Sequence, residues 1–472
     1  MKSNEINKNE LFESVNPVKA LFVMALPTIG SQVIVLLYNL ADTWFIGRTD
    51  DPYMIAASSL VLTVYLAVVA LANVFGVGGS SLMVRLMGEK REDEARRVAS
   101  HSVAASILAA LAFSALTLVF MGPLLHLLGA SENTFRYGRQ YLLATTVIGA
   151  APTILAMDMP MLLRNAGYAK EAGFGVALGG VMNIALDPLF MFVLLPKGYE
   201  VLGAGVATML SNVISFAYFI AVFRRVREKT VLEFPKRLEK IESEHKKSLY
   251  SVGIPAAFAI FLFDLVTMVI NRLTASYGDI PLAAMGIVLK VERLPLNIGL
   301  GVCLGMVPLV AYNYASGDHR RMERFASLAR LAILGFSCVC VVLFSLFPEP
   351  ITGIFMKDPV KNQETVRLAA EFLRGRCLAM PFMLLGYHVV NFMNAVGRGK
   401  VSFLLAVIRH LVLIIPLLFI MNAFWGLNGL IWAQVAADVL NALIALLIYK
   451  RTKTEIIDTA QKIQQGAACR RG

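Results

Sequence analysis

Long apolar runs without charge alternate along this chain with short polar breaks. Residues 52–84, 98–131 and 201–223 contain no Asp, Glu, Lys or Arg, and each exceeds the roughly 20 residues that cross about 30 Å of hydrocarbon as a helix. Leu, Ala, Val, Ile and Phe fill these runs without period-two alternation, which predicts helices and argues against an outer-membrane barrel. The pattern predicts twelve spans, helices 1–6 within 17–223 and helices 7–12 within 248–450. Fourteen of the residues from 224 to 247 are charged, which marks a solvated linker between the two sets. A polar segment, 1–16, precedes the first span and a polar tail, 451–472, follows the last.

The two sets repeat one another. LPTIGS around Pro27 matches GIPAAF around Pro255 at an offset of 228, and IAASSLVLTVYL from Ile55 matches LAAMGIVLKVER from Leu282 at 227. Further on, the NAG of Asn165 to Gly167 pairs with the NAVG of Asn394 to Gly397, and Pro188 pairs with Pro416, again at 228. Ordered matches at a nearly constant offset point to a duplication. Six spans return a chain to the side it left, so duplicated halves of six are parallel repeats able to alternate access to a cavity. The expected fold is an all-α integral membrane protein of twelve transmembrane helices in two parallel six-helix bundles.

Composition agrees: 57% of residues are hydrophobic, 16% are charged and the mean hydropathy is +0.66, more apolar surface than a water-soluble chain of this length could hide. The net charge of +12 would suit nucleic acid, but the basic residues collect in alternate loops. Counting Lys and Arg near the span ends, one side holds 30 and the other 8, which orients both termini and the 224–247 linker toward the cytoplasm. Basicity here reports topology, and no nucleic-acid partner is expected. The five cysteines show no CxxC spacing and read as reduced packing residues. The first nineteen residues lack an apolar h-region and a cleavage site, so the first span is expected to act as its own uncleaved targeting signal.

Carboxylates inside spans cost on the order of 3 kcal/mol each, so each needs a partner, a wet cavity or a task. Asp42 closes helix 1 in YNLADTWF, and Asp187 lies in helix 5 in NIALDP. At 1.5 Å per residue from Lys19 and Lys170, they lie roughly 34 Å and 26 Å deep, both toward the outer leaflet. Asn39 precedes Asp42 by three residues and Asn183 precedes Asp187 by four, so each pair shares a helix face and can bond side chain to side chain. Such couples can hold a proton, a sodium ion or a cationic drug. The plainer readings are a surface position for Asp42 and a polar plug at the Pro188 kink for Asp187. The second half carries Asp264 in helix 7, Lys290, Glu292 and Arg293 in helix 8, Arg409 and His410 in helix 11 and Asp438 in helix 12. A buried ion-pair network is the expected role, with Asp264 meeting Lys290 near mid-membrane; a direct substrate or proton role for Asp264 or Glu292 is the alternative.

Weaker features read as structure. GVGGSS at Gly76 to Ser81 has no strand before it and is expected to be small-residue helix packing rather than a phosphate loop. His101, His126 and His388 read as loop or interfacial histidines. Met157, Met159, Met161 and Phe190 could offer an adaptable surface to varied ligands. No nucleophile triad, metal-ligand spacing or nucleotide-binding loop is present, which argues against an enzyme and against ATP-driven pumping.

LPTIGSQ, DTWFIGR, LLRNAGYAK, NIALDP, GAGVATMLSN, AAMGIV and PLVAYNYASG occur in order from about Pro17 to Lys450. With these motifs the chain resembles the multidrug and toxic compound extrusion (MATE) family. The resemblance implies a V-shaped twelve-helix fold and a secondary active antiporter. That antiporter would export cationic, amphipathic drugs or metabolites in exchange for H⁺ or Na⁺ by alternating access. It assigns an ion site to Asp42, Asn183 and Asp187 with Thr208 as a fourth member, a site able to take Na⁺, and matches Asp264 to a helix-7 carboxylate of some branches. A helix-10 aspartate used in part of the family has no counterpart in MLLGYHVVNFMNAVG. A flippase for a lipid-linked precursor is the alternative function, with Lys290, Arg293 and Arg409 as its pyrophosphate site. The expected setting is a bacterial inner membrane, with the chain working as a monomer, without cofactors beyond the transported ion, and with small molecules and the bilayer as its partners.

Overall fold

In the computed structural model, residues 8–49, 51–235, 238–356 and 362–469 are described. Lys2, Lys236, Arg237, Lys357, Lys361, Arg470 and Arg471, counted above among the basic loop residues, lie outside them. The described residues form helices joined by short turns and, at 227–235 and 238–242, by a longer non-helical stretch, with no strand among them.

The spans are α1 (Pro17–Gly47), α2 (Pro52–Gly88), α3 (Glu92–Val119), α4 (Glu132–Ile148 and Ala150–Asn165, bent by 51°), α5 (Ala169–Leu194) and α6 (Glu200–Val226). Then come α7 (Ser243–Ala275), α8 (Asp279–Ala315), α9 (His319–Leu346), α10 (Gln363–Ala395) and the helical run Gly399–Thr459. Those 61 residues would be about 90 Å long at 1.5 Å per residue, three times the hydrocarbon thickness. Gly426 breaks the run at φ 57°, ψ −136°, so 399–425 is α11 and 427–459 is α12, and the twelve-span count holds.

Local chemistry sets the ends. Asp51 accepts from Tyr53 N at 2.8 Å ahead of Pro52 at the first helical position of α2. Ser131 and Thr134 form a reciprocal capping box at the start of α4, and Asp318 accepts from Arg321 N at 2.9 Å at the start of α9. The repeated NAG and NAVG motifs end α4 and α10 in the same way. Gly167 and Gly397 take φ of 87° and 76°, which lets Tyr168 N reach Leu163 O at 2.9 Å and Arg398 N reach Met393 O at 2.8 Å.

The chain separates into two compact units, the described residues of Met1–Ser14 with Val23–Ala257, and those of Phe258–Gly472 with Val15–Phe22. In the first, α2 packs along α3 and α4, and α4 also packs on α5 and α6. The GVGGSS stretch is helix packing: a Cβ on Gly78 would lie 2.4 Å from Leu249 O of α7, and one on Gly79 1.9 Å from Ser102 Oγ of α3. In the second unit α8 packs on α9 and α10, and α12 packs on α10 and α11. Large apolar side chains within the spans, such as Leu331 of α9 and Leu447 of α12, are 69% exposed, as lipid-facing positions require. His388 departs from its expected interfacial place. It is fully buried, with Nε2 2.8 Å from Ala326 O, and a ring anchored in this way can be accommodated inside a bundle.

Candidate functional site

In the first unit, α1, α5 and α6 bring together the predicted carboxylate couple. Gly180 brings α5 against α1: a Cβ there would lie 2.7 Å from Ile34 Cγ2 and 3.0 Å from Tyr38 Cδ1. Asn183 and Asp187 follow Gly180 on the same helix face, and Asp42 follows Tyr38 by one turn. Gly205 similarly admits Tyr141 of α4 to α6, at 3.1 Å from an added Cβ, one turn before Thr208.

The buried Asn183 amide donates to Asp187 Oδ1 at 3.3 Å and to Thr208 Oγ1 at 3.4 Å. The other Asp187 oxygen and Asp42 Oδ1 are enclosed without a hydrogen-bond partner. Asp42 and Asp187 lie within electrostatic reach of each other, with Tyr141 within reach of both, and no basic side chain pairs with either among the described residues. Just past Asp187, Pro188 leads into a π-helical turn over Leu189–Leu194, a wide turn that loosens the backbone ladder at this depth. Two carboxylates, an amide and a hydroxyl form a hard oxygen-donor set suited to a proton or a small monovalent cation. Asn39 is not part of it: it is exposed and donates to Val35 O at 2.8 Å, because its amide finds a nearer acceptor one turn back than the Asp42 carboxylate.

Asp158 on α4 has no role in the sequence reading, yet it is fully buried. Its Oδ2 accepts from Ser106 Oγ of α3 at 2.5 Å and its Oδ1 has no partner. A lone carboxylate in the apolar AMDMP run is the same feature that marked Asp187. Ligand spacing likewise concealed Glu94, Glu242 and His245, whose ligand atoms lie within 4.8 Å of one another. Arg91 holds Glu94 through two contacts, at 2.7 Å and 2.5 Å, and Glu242 is exposed, so this cluster serves to tie the charged linker to α3.

The charged residues of the second unit form ion pairs, though with different partners from those expected. Arg409 of α11 donates to Asp438 Oδ1 at 2.8 Å and to Tyr387 Oη at 3.0 Å, while Gln434 donates to Asp438 Oδ2 at 2.6 Å. Arg409 and His410 lie in another π-helical turn, Ile408–Ile414. Glu292 is gripped by Arg376 of α10 at 2.9 and 2.8 Å, a residue the sequence reading left out although it closes the LRGRC stretch at an apolar boundary. Asp264 is half-buried and lies within reach of Arg293 rather than Lys290. Arg293 also sits over the Phe263 ring at 5.6 Å. Lys290 is exposed and makes no ion pair among the described residues.

A helical chain of twelve spans in two duplicated units, with unpaired carboxylates inside one of them, defines a multi-pass membrane transporter. The MatE family model matches residues 27–189 and 255–420, two copies whose starts are 228 residues apart, the offset of the internal repeat. The chain belongs to the MatE family. It is 30% identical over 456 residues to the multidrug export protein MepA of Staphylococcus aureus strain MRSA252, covering 96% of this chain and 98% of that protein. It is 29% identical over 454 residues to MepA of Staphylococcus haemolyticus, with the same coverage. Among solved structures, MATE in complex with MaL6 superposes with a TM-score of 0.89 at 22% identity, covering 96% of this chain and 99% of that one. A MOP superfamily transporter from Pyrococcus furiosus, described as having a binding pocket of reverse polarity, gives 0.86 at 22%, covering 95% and 98%.

Proposed function

We propose that this protein is a secondary multidrug antiporter that exports cationic, amphipathic compounds by alternating access, driven by H⁺ or Na⁺ at Asp42, Asn183, Asp187 and Thr208. The observation that carries the reading is the pair of enclosed, unpartnered carboxylate oxygens of Asp42 and Asp187 on neighbouring helices with no cationic side chain between them. Two like charges within reach of each other in a low-dielectric span repel, and a bound proton or sodium ion removes that repulsion. Ion binding is thereby coupled to how closely α1 and α5 pack beside the Leu189–Leu194 turn. Similarity to proteins named for multidrug export over 96% of the chain supports the substrate class. The loop charges support a cytoplasmic position for both termini.

The flippase alternative is less well supported, since of its three basic residues Arg409 is committed to Asp438 and Asp264 lies within reach of Arg293. Dye efflux measured in inverted membrane vesicles tests the antiport reading. Replacing Asp42 and Asp187 together by Asn is expected to abolish gradient-dependent efflux, and undiminished efflux would sink the mechanism. Imposing a pH gradient or a sodium gradient separately on proteoliposomes then identifies the coupling ion.

A further inference from the structure

Within the second unit, α7, α8, α10, α11 and α12 line a partly open cavity of about 60 Å³, room for several waters at about 10–15 Å³ of such space each. Apolar side chains such as Phe263, Val266 and Met383 form part of its wall, and Glu292, Arg293, Arg376, Arg409 and His410 form the rest. Arg376 is 3% exposed. Its Nε and Nη2 are spent on Glu292, but its Nη1 is enclosed with no acceptor, an expensive state for a charged donor.

His410 is neutral by its bonding. Its Nδ1 donates to Ala406 O at 2.9 Å, and its Nε2 accepts from Arg409 Nη1 at 3.3 Å. The wall therefore presents three guanidinium groups against the single carboxylate of Glu292. Asp438 sits behind Arg409 and answers its charge. Asp264 lies within reach of Arg293 without forming an ion pair with it and offsets part of that charge. About one positive charge at most remains to be answered inside the cavity. Water could satisfy Arg376 Nη1 as an acceptor, but it would leave that charge standing.

We infer that the cavity binds one small monovalent anion, a halide or the carboxylate group of a larger molecule, held by Arg376 Nη1 with Arg293 beside it. Guanidinium is weakly hydrated and suits such an anion in a partly apolar wall. A pyrophosphate would leave most of its negative charges unanswered here.

The test uses the full-length protein in detergent, equilibrated with radiolabelled chloride at fixed ionic strength set by sulfate. Saturable binding near one ion per chain is expected. The paired change Glu292→Gln with Arg376→Gln keeps the charge balance and is expected to weaken binding by about tenfold or more. Arg293→Gln, on an exposed side chain that leaves the Glu292 pair intact, is expected to weaken it severalfold and decides the matter if the paired variant does not fold. Competition by acetate as strong as that by unlabelled chloride would support a carboxylate ligand, and competition by halides alone an inorganic one. Absence of saturable chloride binding, or unchanged affinity in the variants, would overturn the site. The inference is independent of cation coupling, because efflux requiring Asp42 and Asp187 stands whether or not chloride binds.

Discussion

Asp187 has one carboxylate oxygen on Asn183 and the other enclosed without a partner, so a bound ion has an open lone pair to meet. Thr208 holds the second proton of the same amide. Thr208→Val keeps the shape and removes that acceptor, at a cost of about 1 kcal/mol for one neutral hydrogen bond. The apparent affinity for the coupling ion is expected to fall severalfold in proteoliposome transport assays while maximal efflux persists; full loss of efflux would show that Thr208 does more than steady Asn183. In the second unit the Glu292 and Arg376 pair sets a sharper contrast. Arg376→Ala leaves Glu292 as an unpaired carboxylate and is expected to cost roughly 3–5 kcal/mol, read as a lowered melting temperature in detergent. Replacing both residues by Met is expected to recover most of that loss. The Asn183 and Asp187 bond was legible because a spacing of four residues fixes a shared helix face. Arg376 was not, since its partner lies 84 positions away and only packing brings α10 to α8. The Asn39 bond to Val35 O was not legible either, because spacing fixes direction but not which of two acceptors wins.

Helices here meet through glycine as much as through large apolar side chains. A Cβ on Gly253 of α7 would lie 1.9 Å from Val74 O of α2, and a backbone atom cannot turn aside as a side chain can. Gly253→Ala should therefore force the two helices apart and cost about 1–3 kcal/mol as overpacking does. Gly286 of α8 has open space at the same test, so Gly286→Ala is expected to be neutral or stabilising by up to about 1 kcal/mol through helix propensity. Thermal unfolding of the two purified variants separates these outcomes, and equal stability would contradict the close approach of α2 and α7. Span positions and the duplication were legible at this scale, because lipid requires apolar length and the repeat preserves landmarks such as NAG and NAVG. The π-helical turns beside Asp187 and around Arg409 were not. A single extra residue in a helical turn leaves no mark on hydropathy, and only the paired prolines, Pro188 and Pro416, hinted that the backbone changes there.

Across the whole molecule, twelve spans and the sidedness of the loops form a single argument. The last helical run passes the hydrocarbon twice only because Gly426 breaks it, and an uninterrupted run would leave an odd number of spans and place the termini on opposite sides. The basic residues, counted on twelve spans as 30 against 8, lead to the expectation that the segment before α1 and the tail after α12 share one side, which an even number of spans allows. Single cysteines introduced at Gly198 and Gly426, in a background lacking the five native cysteines, are therefore expected to react with a membrane-impermeant maleimide in intact cells. Cysteines at Lys90 and Thr230 are expected to react only after the membrane is opened. Labelling of Gly198→Cys but not Gly426→Cys from outside would mean that 399–459 crosses once, and the tail would then lie outside against its own charge. Labelling of Lys90→Cys in intact cells would invert the whole arrangement, and with it the direction in which the Asp42 and Asp187 site would have to meet its driving ion.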